Sequence, residues 1–393
     1  MRFKTSIQRE LDSFYRSVLE EDFNIRAVTK GAFTRARAKL NPEAFKFLAR
    51  RGLKVFYEQA PVLKWNGFRL LAVDGSRLLL PRHHTVISQF GQYKFGPHAD
   101  VPQSMALCSI LYDTLNLVPV DSQIAPYKVS ERELLVEHLQ YTQKGDLLLL
   151  DRGYPAIWLF FLLQAKGVDF CVRMSDFWWL EVDNFNKSNL KQTTVNFHLP
   201  QKDRERVKAY CTTHKLAWID GPITLRLVKV ELPTGETEIL CTSLLDAQQF
   251  DAEVFGELYH HRWSAEEAFK MLKCRVELEN FSGKTAIAVQ QDFQAKVFAM
   301  ILCSIYAHPI EQKLKEEYAQ DHQRKHKQKI NRTAALDMLQ NILIPAFLKN
   351  KFKQAIKAFD DIVLKTREII RPHRSNPRNH KPKRKSYMTY KRL

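Results

Sequence analysis

Cysteine is scarce and solitary in this chain. Six residues, Cys108, Cys171, Cys211, Cys241, Cys274 and Cys303, stand far apart, which excludes the paired spacing of a zinc site or a redox motif. Each is expected to be a small buried hydrophobe. No run of apolar residues reaches the length that spans a bilayer, and the N-terminus MRFKTSIQRELDSFYRS lacks the apolar centre of a signal peptide. The expectation is an intracellular protein with no membrane partner. No internal repeat is found, so a solenoid is excluded. Acids are in short supply as well: 43 Asp plus Glu face 61 Lys plus Arg, a formal charge of +18. That balance favours a polyanionic partner, of which nucleic acid is the commonest and anionic membrane the rival.

Hydrophobic residues make up 45% and aromatics 11%, with 25 Phe and 6 Trp among 393 residues. This is globular composition. The length exceeds what one compact core usually supports, so a catalytic domain with accessory parts is expected. Residues 1–66 show helical periodicity at Ser6 to Glu21 and Pro42 to Gln59. Between them Thr29 is placed to cap a short helix carrying Lys30, Arg35, Arg37 and Lys39. That basic helix suits a DNA groove, or is an ordinary solvated helical face; the two readings weigh equally.

From Phe68 the texture changes to RLLAVDGSRLLL, a buried strand that stops at Asp74 and Gly75. MALCSILYDTLNLVPVDSQI reads as a hairpin turning near Asp113 to Asn116. SERELLVEHLQYTQ reads as a helix capped by Ser130 with Glu133 in the capping-box position. GDLLLLDRGY is a short apolar strand ending at Asp151, followed by a helix and the strand VDFCVRM, which closes a segment of residues 67–173. Residues 174–250 alternate like an antiparallel β insertion, with a turn at Pro233 to Glu236. A long helix from Asp251 through Lys273 opens the next segment, 251–310. Helices continue over 311–370, and the tail 371–393 holds nine Lys or Arg and no acid, a composition drawn to phosphate backbones.

Asp74 and Asp151 both stand at the C-terminal ends of apolar strands. In an open sheet covered by helices those ends form the crevice where ligands bind, and a carboxylate there is poised for a hard cation. A third acid comes from DAEVFGELYHHRWSAEEAFKMLK, where Tyr259, Arg262, Glu266 and Lys273 follow Y-x2-R-x3-E-x6-K. With Tyr259 as zero, a helix of about 100° per residue puts Arg262 at about −60°, Trp263 at about +40°, Glu266 at about −20°, Lys270 at about +20° and Lys273 at about −40°. These share one stripe, while Glu267 points to about +80° and is rejected as the acid. Leu258, Ala265, Phe269 and Leu272 mark a separate apolar flank. A cationic, aromatic stripe around one acid suits DNA phosphates passing a metal. Three carboxylates carry charge enough for a divalent metal pair, which with backbone positioning suffices for in-line attack at a phosphodiester.

These residues, with AVDGS around Asp74, LLLLDRGY around Asp151, SERELL before it, FCVR ending at Arg173 and RW before Glu266, resemble the bacterial insertion-sequence transposases that carry a DDE triad and a YREK signature, family four of the usual classification. The likeness covers most of residues 65 to 300, and loosely the helical N-terminus and basic tail. It implies an α/β, ribonuclease-H-like catalytic core interrupted by the β insertion, with helical N- and C-terminal parts. It implies that Asp74, Asp151 and Glu266 bind two Mg2+ ions, with Mn2+ as substitute. Tyr259, Arg262, Trp263 and Lys273 are then expected to contact DNA near the cleaved end, with Lys270 beside them. Relatives form a hairpin at the transposon end and hold a flipped base on an aromatic of the insertion. Trp178 and Trp179 are candidates, or are insertion core. Arg152 and Arg173 either support the acids or form structural ion pairs.

The activity implied is cut-and-paste cleavage at terminal inverted repeats and transfer of the 3′ ends into target double-stranded DNA, by a homodimer. A nuclease of the same fold without joining, or an inactive DNA-binding derivative, are the rivals. A carboxylate-pair glycosidase fits the basic stripe and tail poorly.

Overall fold

The computed structural model describes residues 6–94, 101–175, 179–232, 235–320 and 326–370. They sort into two compact units. One is built from Pro61–Arg77 and Leu107–Phe269, the other from the described residues up to Ala60, Leu78–Ala106 and those from Lys270 onward. The N-terminal helices are thus not a unit of their own, as a border at residue 66 would have them. They pack with the C-terminal helices.

The sheet unit is organised by strands too apolar to face water on either side. Eight strands, β1 (Arg69–Leu79), β2 (Met105–Asp113), β3 (Val118–Pro126), β4 (Asp146–Leu150), β5 (Asp169–Arg173), β6 (Gln192–Phe197), β7 (Ile223–Glu231) and β8 (Thr237–Thr242), lie in the order β3-β2-β1-β4-β5-β8-β7-β6. Leu70 to Val73 of β1 and Leu147 to Leu150 of β4 are fully buried, as strands covered on both faces must be. β1, β4 and β5 run parallel. Only Thr114 to Leu117 separate β2 from β3, too short for a crossover, so these form the expected hairpin. Its turn is held by Asp113 Oδ1, which accepts from the Leu115 and Asn116 amides. Strand order and direction define an α/β, ribonuclease-H-like core.

Two sequence expectations are corrected here. β1 does not stop at Asp74 but continues to Leu79, beyond its pairing with β4. The segment 174–250 is antiparallel as expected, yet it is not a separate β piece: β8 pairs with β5 and so continues the central sheet. It also contains two helices, Leu180–Lys187 and Gln201–His214, whose weak apolar periodicity hid them. The turn expected at Pro233 to Glu236 lies partly outside the described residues, as do Trp178 and the tail 371–393.

The helix Glu131–His138 carries the expected capping box, Ser130 accepting from the Glu133 amide and Glu133 from the Ser130 amide. Its far end is fixed by a buried relay. His138 Nδ1 lies 2.7 Å from Asp121 Oδ2 on β3 and Nε2 lies 2.9 Å from Ser109 Oγ on β2.

In the helical unit, Ser6 and Thr29 cap the helices Ile7–Leu19 and Lys30–Arg37 as their sequence positions suggest. The helix Glu43–Gln59 packs along Ala286–Gln320, where a Cβ on Gly52 would stand 3.6 Å from Ile305 and the rings of Phe56 and His308 meet edge to face at 5.0 Å. Helices Arg332–Met338 and Phe352–Lys365 and a short ladder of Gln328–Ile330 with Arg367–Ile369 complete it. Contrary to the sequence expectation, Ala286–Gln320 is long and apolar enough to cross a membrane by length and composition. Its most apolar window is 61% buried inside the protein, and its apolar residues are spent on packing. Five of the six cysteines are buried; Cys274 is exposed, against expectation.

Candidate active site

Register decides where the first two acids stand. Ala72 on β1 pairs with Leu149 on β4 in parallel, and Asp74 and Asp151 each follow two residues later. Neighbouring parallel strands therefore deliver both carboxylates level with one another just past the end of the β1–β4 pairing, Asp151 directly after β4 and Asp74 midway along the longer β1. Asp74 accepts a hydrogen bond from the Gly75 amide at 3.0 Å, and Asp151 one from the Gly153 amide at 2.7 Å.

The segment bearing the third acid is not one helix. Val254–His260 ends, and Trp263–Cys274 begins after two residues. The amides of His261, Arg262, Ser264 and Ala265 bond three residues back rather than four, tightening the chain and shifting its angular register. Tyr259 thus leaves the stripe on which uniform rotation placed it. It is 6% exposed, and its hydroxyl donates to the Leu150 carbonyl, the residue before Asp151, at 3.2 Å. Arg262 is 7% exposed, donates to Glu266 Oε1 at 2.8 Å, and lies over the rings of Tyr259 and Trp263 at 5.7 and 5.1 Å. Tyr259 and Arg262, expected at the DNA, are turned inward and tie Glu266 to the end of β4. Trp263, 46% exposed, and Lys270, exposed, face outward; Lys273 is half-buried and partnered. Glu267 is exposed.

Asp74 feels the charges of the other two acids. Burial, partly opposed by the Gly75 amide and then reinforced by the negative charges of Glu266 and Asp151, pushes the Asp74 carboxyl up to about 7. Among the described residues no three His, Cys, Asp or Glu are gathered tightly enough to form a ready-made ion cage, and Glu266 is engaged by Arg262. The donor set nonetheless fits a hard divalent cation: oxygen ligands, partly desolvated, with negative charge in excess of what Arg262 neutralises.

Other candidates separate. Arg173 pairs with Glu238 across β5 and β8 at 2.6 Å, a structural ion pair. Arg152 is exposed. Trp179 stacks on Phe160 and meets Phe197 edge to face, so it belongs to the core beneath the insertion. Of the basic N-terminal helix, Arg37 is spent on packing, reaching Gln291, Ser282 and Asp292, while Lys30, Arg35 and Lys39 are exposed. One acid escaped the sequence reading. Glu131, the first residue of its helix, packs against Gly75; its place beside the capping Ser130 had already supplied a sufficient reason for an acid there.

An α/β core thus carries two aspartates on neighbouring parallel strands and a glutamate on a helix. The chain belongs to the transposase DDE-domain family, whose model matches residues 65–302. It is 24% identical over 247 residues to transposase InsG for insertion sequence element IS4 of Escherichia coli strain K12, a match covering 63% of this chain and 53% of InsG. The chain thus spans about half the length of this curated relative. The piggyBac transposase synaptic complex with hairpin DNA, solved by cryo-electron microscopy, superposes with a TM-score of 0.43 at 12% identity, over 95% of this chain and 73% of that one. That likeness is too slight to carry an argument about the site.

Proposed function

We propose that this chain is an active insertion-sequence transposase that cuts at the terminal inverted repeats of its element and joins the freed 3′ ends to target DNA. The observation that carries the reading is the parallel register of β1 and β4, which sets Asp74 and Asp151 side by side within the electrostatic reach of Glu266. Family membership supports it.

Asp74, Asp151 and Glu266 would hold two Mg2+ ions, with Mn2+ as substitute, and the metal pair supplies Lewis-acid activation of the attacking and leaving oxygens. The protein's own part is positioning. Tyr259 fixes the helical turn against the last carbonyl of β4, and Arg262 holds Glu266 in place. Trp263 offers an exposed ring on which a base can stack. Lys270 and Lys273, on the helix that carries Glu266, meet phosphates, as do the basic tail and the exposed Lys30, Arg35 and Lys39. Two ends must be cut together, so a homodimer on double-stranded DNA is the working form, and cut-and-paste through an end hairpin is the proposed route.

The test is joining as well as cutting. A labelled terminal-repeat duplex with a pre-cut 3′-hydroxyl, incubated with the protein, Mg2+ and supercoiled plasmid, should be integrated, and D151N should bind the duplex but neither cut nor join it. Cleavage without joining would identify a nuclease of the same fold. Cleavage by D151N at the wild-type rate would remove the metal assignment.

A further inference from the structure

The glycine after Asp74 makes room for the side chain of Glu131, which also comes close to the loop after Asp151. A Cβ on Gly75 would stand 2.6, 2.8 and 2.9 Å from Oε1, Cδ and Cγ of Glu131. A Cβ on Gly153 would stand 3.0 Å from Asp151 Oδ1 and 3.9 Å from Glu131 Oε2. Glu131 therefore enters the space between the residues that follow Asp74 and Asp151, and its neighbour Arg132 donates to the Gly153 carbonyl at 3.0 Å, docking the helix on that loop.

A second observation points to a ligand. The hydroxyl of Tyr154 is fully buried and has no hydrogen-bond partner among the described residues, while Tyr154 itself is 1% exposed. The charges of Glu131, Asp151 and Asp74 all act on it. Buried hydroxyls are nearly always bonded. The Tyr154 hydroxyl, three residues beyond Asp151, is left without such a bond among the described residues.

We propose that Glu131 is a fourth carboxylate of the divalent-cation site, sharing an ion with Asp151, and that the Tyr154 hydroxyl donates to the oxygens around that ion. This rests on the reading of Asp74, Asp151 and Glu266 as metal-binding acids. It explains why a half-buried acid tolerates the like charge of Asp151, and why the residue after Asp74 lacks a side chain.

The test uses the full-length, metal-stripped protein without DNA and Mn2+ as probe, with binding read by calorimetry and by the electron paramagnetic resonance of free Mn2+. E131Q is expected to weaken the lower-affinity Mn2+ roughly 10- to 100-fold, the range seen when groups supporting a metal are removed. G75A, which displaces the Glu131 carboxylate while keeping it, is expected to act in the same direction, and Y154F more weakly. Thermal melting runs in parallel, and if E131Q does not fold, E131D is measured in its place. Wild-type Mn2+ stoichiometry and affinity in E131Q, with or without a lowered melting temperature, would overturn the proposal and leave Glu131 as a helix-terminal acid. If wild-type protein binds no Mn2+, or D151N binds it as wild type does, the triad reading itself fails and takes this one with it.

Discussion

In the helical unit, Arg37 reaches Gln291, Ser282 and Asp292, and Asp292 in turn accepts from the Ser282 amide and hydroxyl. At the ends of β1 and β4, by contrast, Asp74 and Asp151 accept one local amide each, Tyr154 Oη is unpaired, and so is Nε of Arg262. Both clusters are polar, and the acids of the second are half-buried. The first is closed, every charge answered by protein, and such a cluster serves structure. The second is open, its carboxylates outnumbering the one guanidinium that answers them, Arg262.

Breaking each cluster should therefore have opposite consequences. The largest expected effect is on catalysis: D74N should lower Mg2+-dependent cleavage on the order of 10³-fold or more. The same variant should melt at a higher temperature than wild type without metal, because it relieves repulsion. A lower melting temperature would place Asp74 among the structural acids. The pH dependence follows. The folded chain holds a proton on Asp74 up to about 7 that the unfolded chain sheds near its ordinary value of 3.8. Metal-free stability should thus fall as pH rises through that window, a dependence that D74N lacks and saturating Mg2+ flattens. Urea midpoints at several pH values measure it.

R37A should do the reverse, costing about 3 kcal/mol of stability by leaving Asp292 buried and unpaired, with cleavage per folded molecule preserved. Loss of cleavage at full stability would show that the closed cluster also serves the site. H138A, which opens the relay to Asp121 and Ser109, should cost about 2 kcal/mol in chemical denaturation. Y259F should cost about 1 kcal/mol and lower cleavage far less than D74N, since it loosens the turn that carries Arg262 without touching an acid. Smallest is K270A, which should leave stability unchanged and make the salt dependence of DNA binding shallower by about one ion. An unchanged slope would remove Lys270 from the DNA-facing set.

The two aspartates were legible because LLAV and LLLL are too apolar for anything but a doubly covered strand, and the first acid after each stands out, although β1 runs on past Asp74. Caps at Thr29 and Ser130 were legible because local hydrogen bonding decides them. The break at His261 and Arg262 was not: no Gly or Pro marks it, and the pull of Tyr259 toward Leu150 comes from a strand a hundred residues away. That pull also buried Tyr259 and Arg262, which uniform rotation had set on an open stripe. The pairing of β8 with β5 was hidden for the same reason, since alternation announces a strand but not its neighbour. Glu131 stayed unnoticed because the glycine it packs against, Gly75, lies more than fifty residues away in the chain.

The long apolar helix Ala286–Gln320 has a bearing on how the chain is made. A segment with that composition, emerging alone from a ribosome, is a hazard for aggregation or misrouting. Its covering helix, Glu43–Gln59, is synthesised well before it. Vectorial synthesis thus puts the shield in place ahead of the surface it shields, and a circular permutant that moved residues 6–60 behind residue 370 would reverse that order while leaving every native contact available.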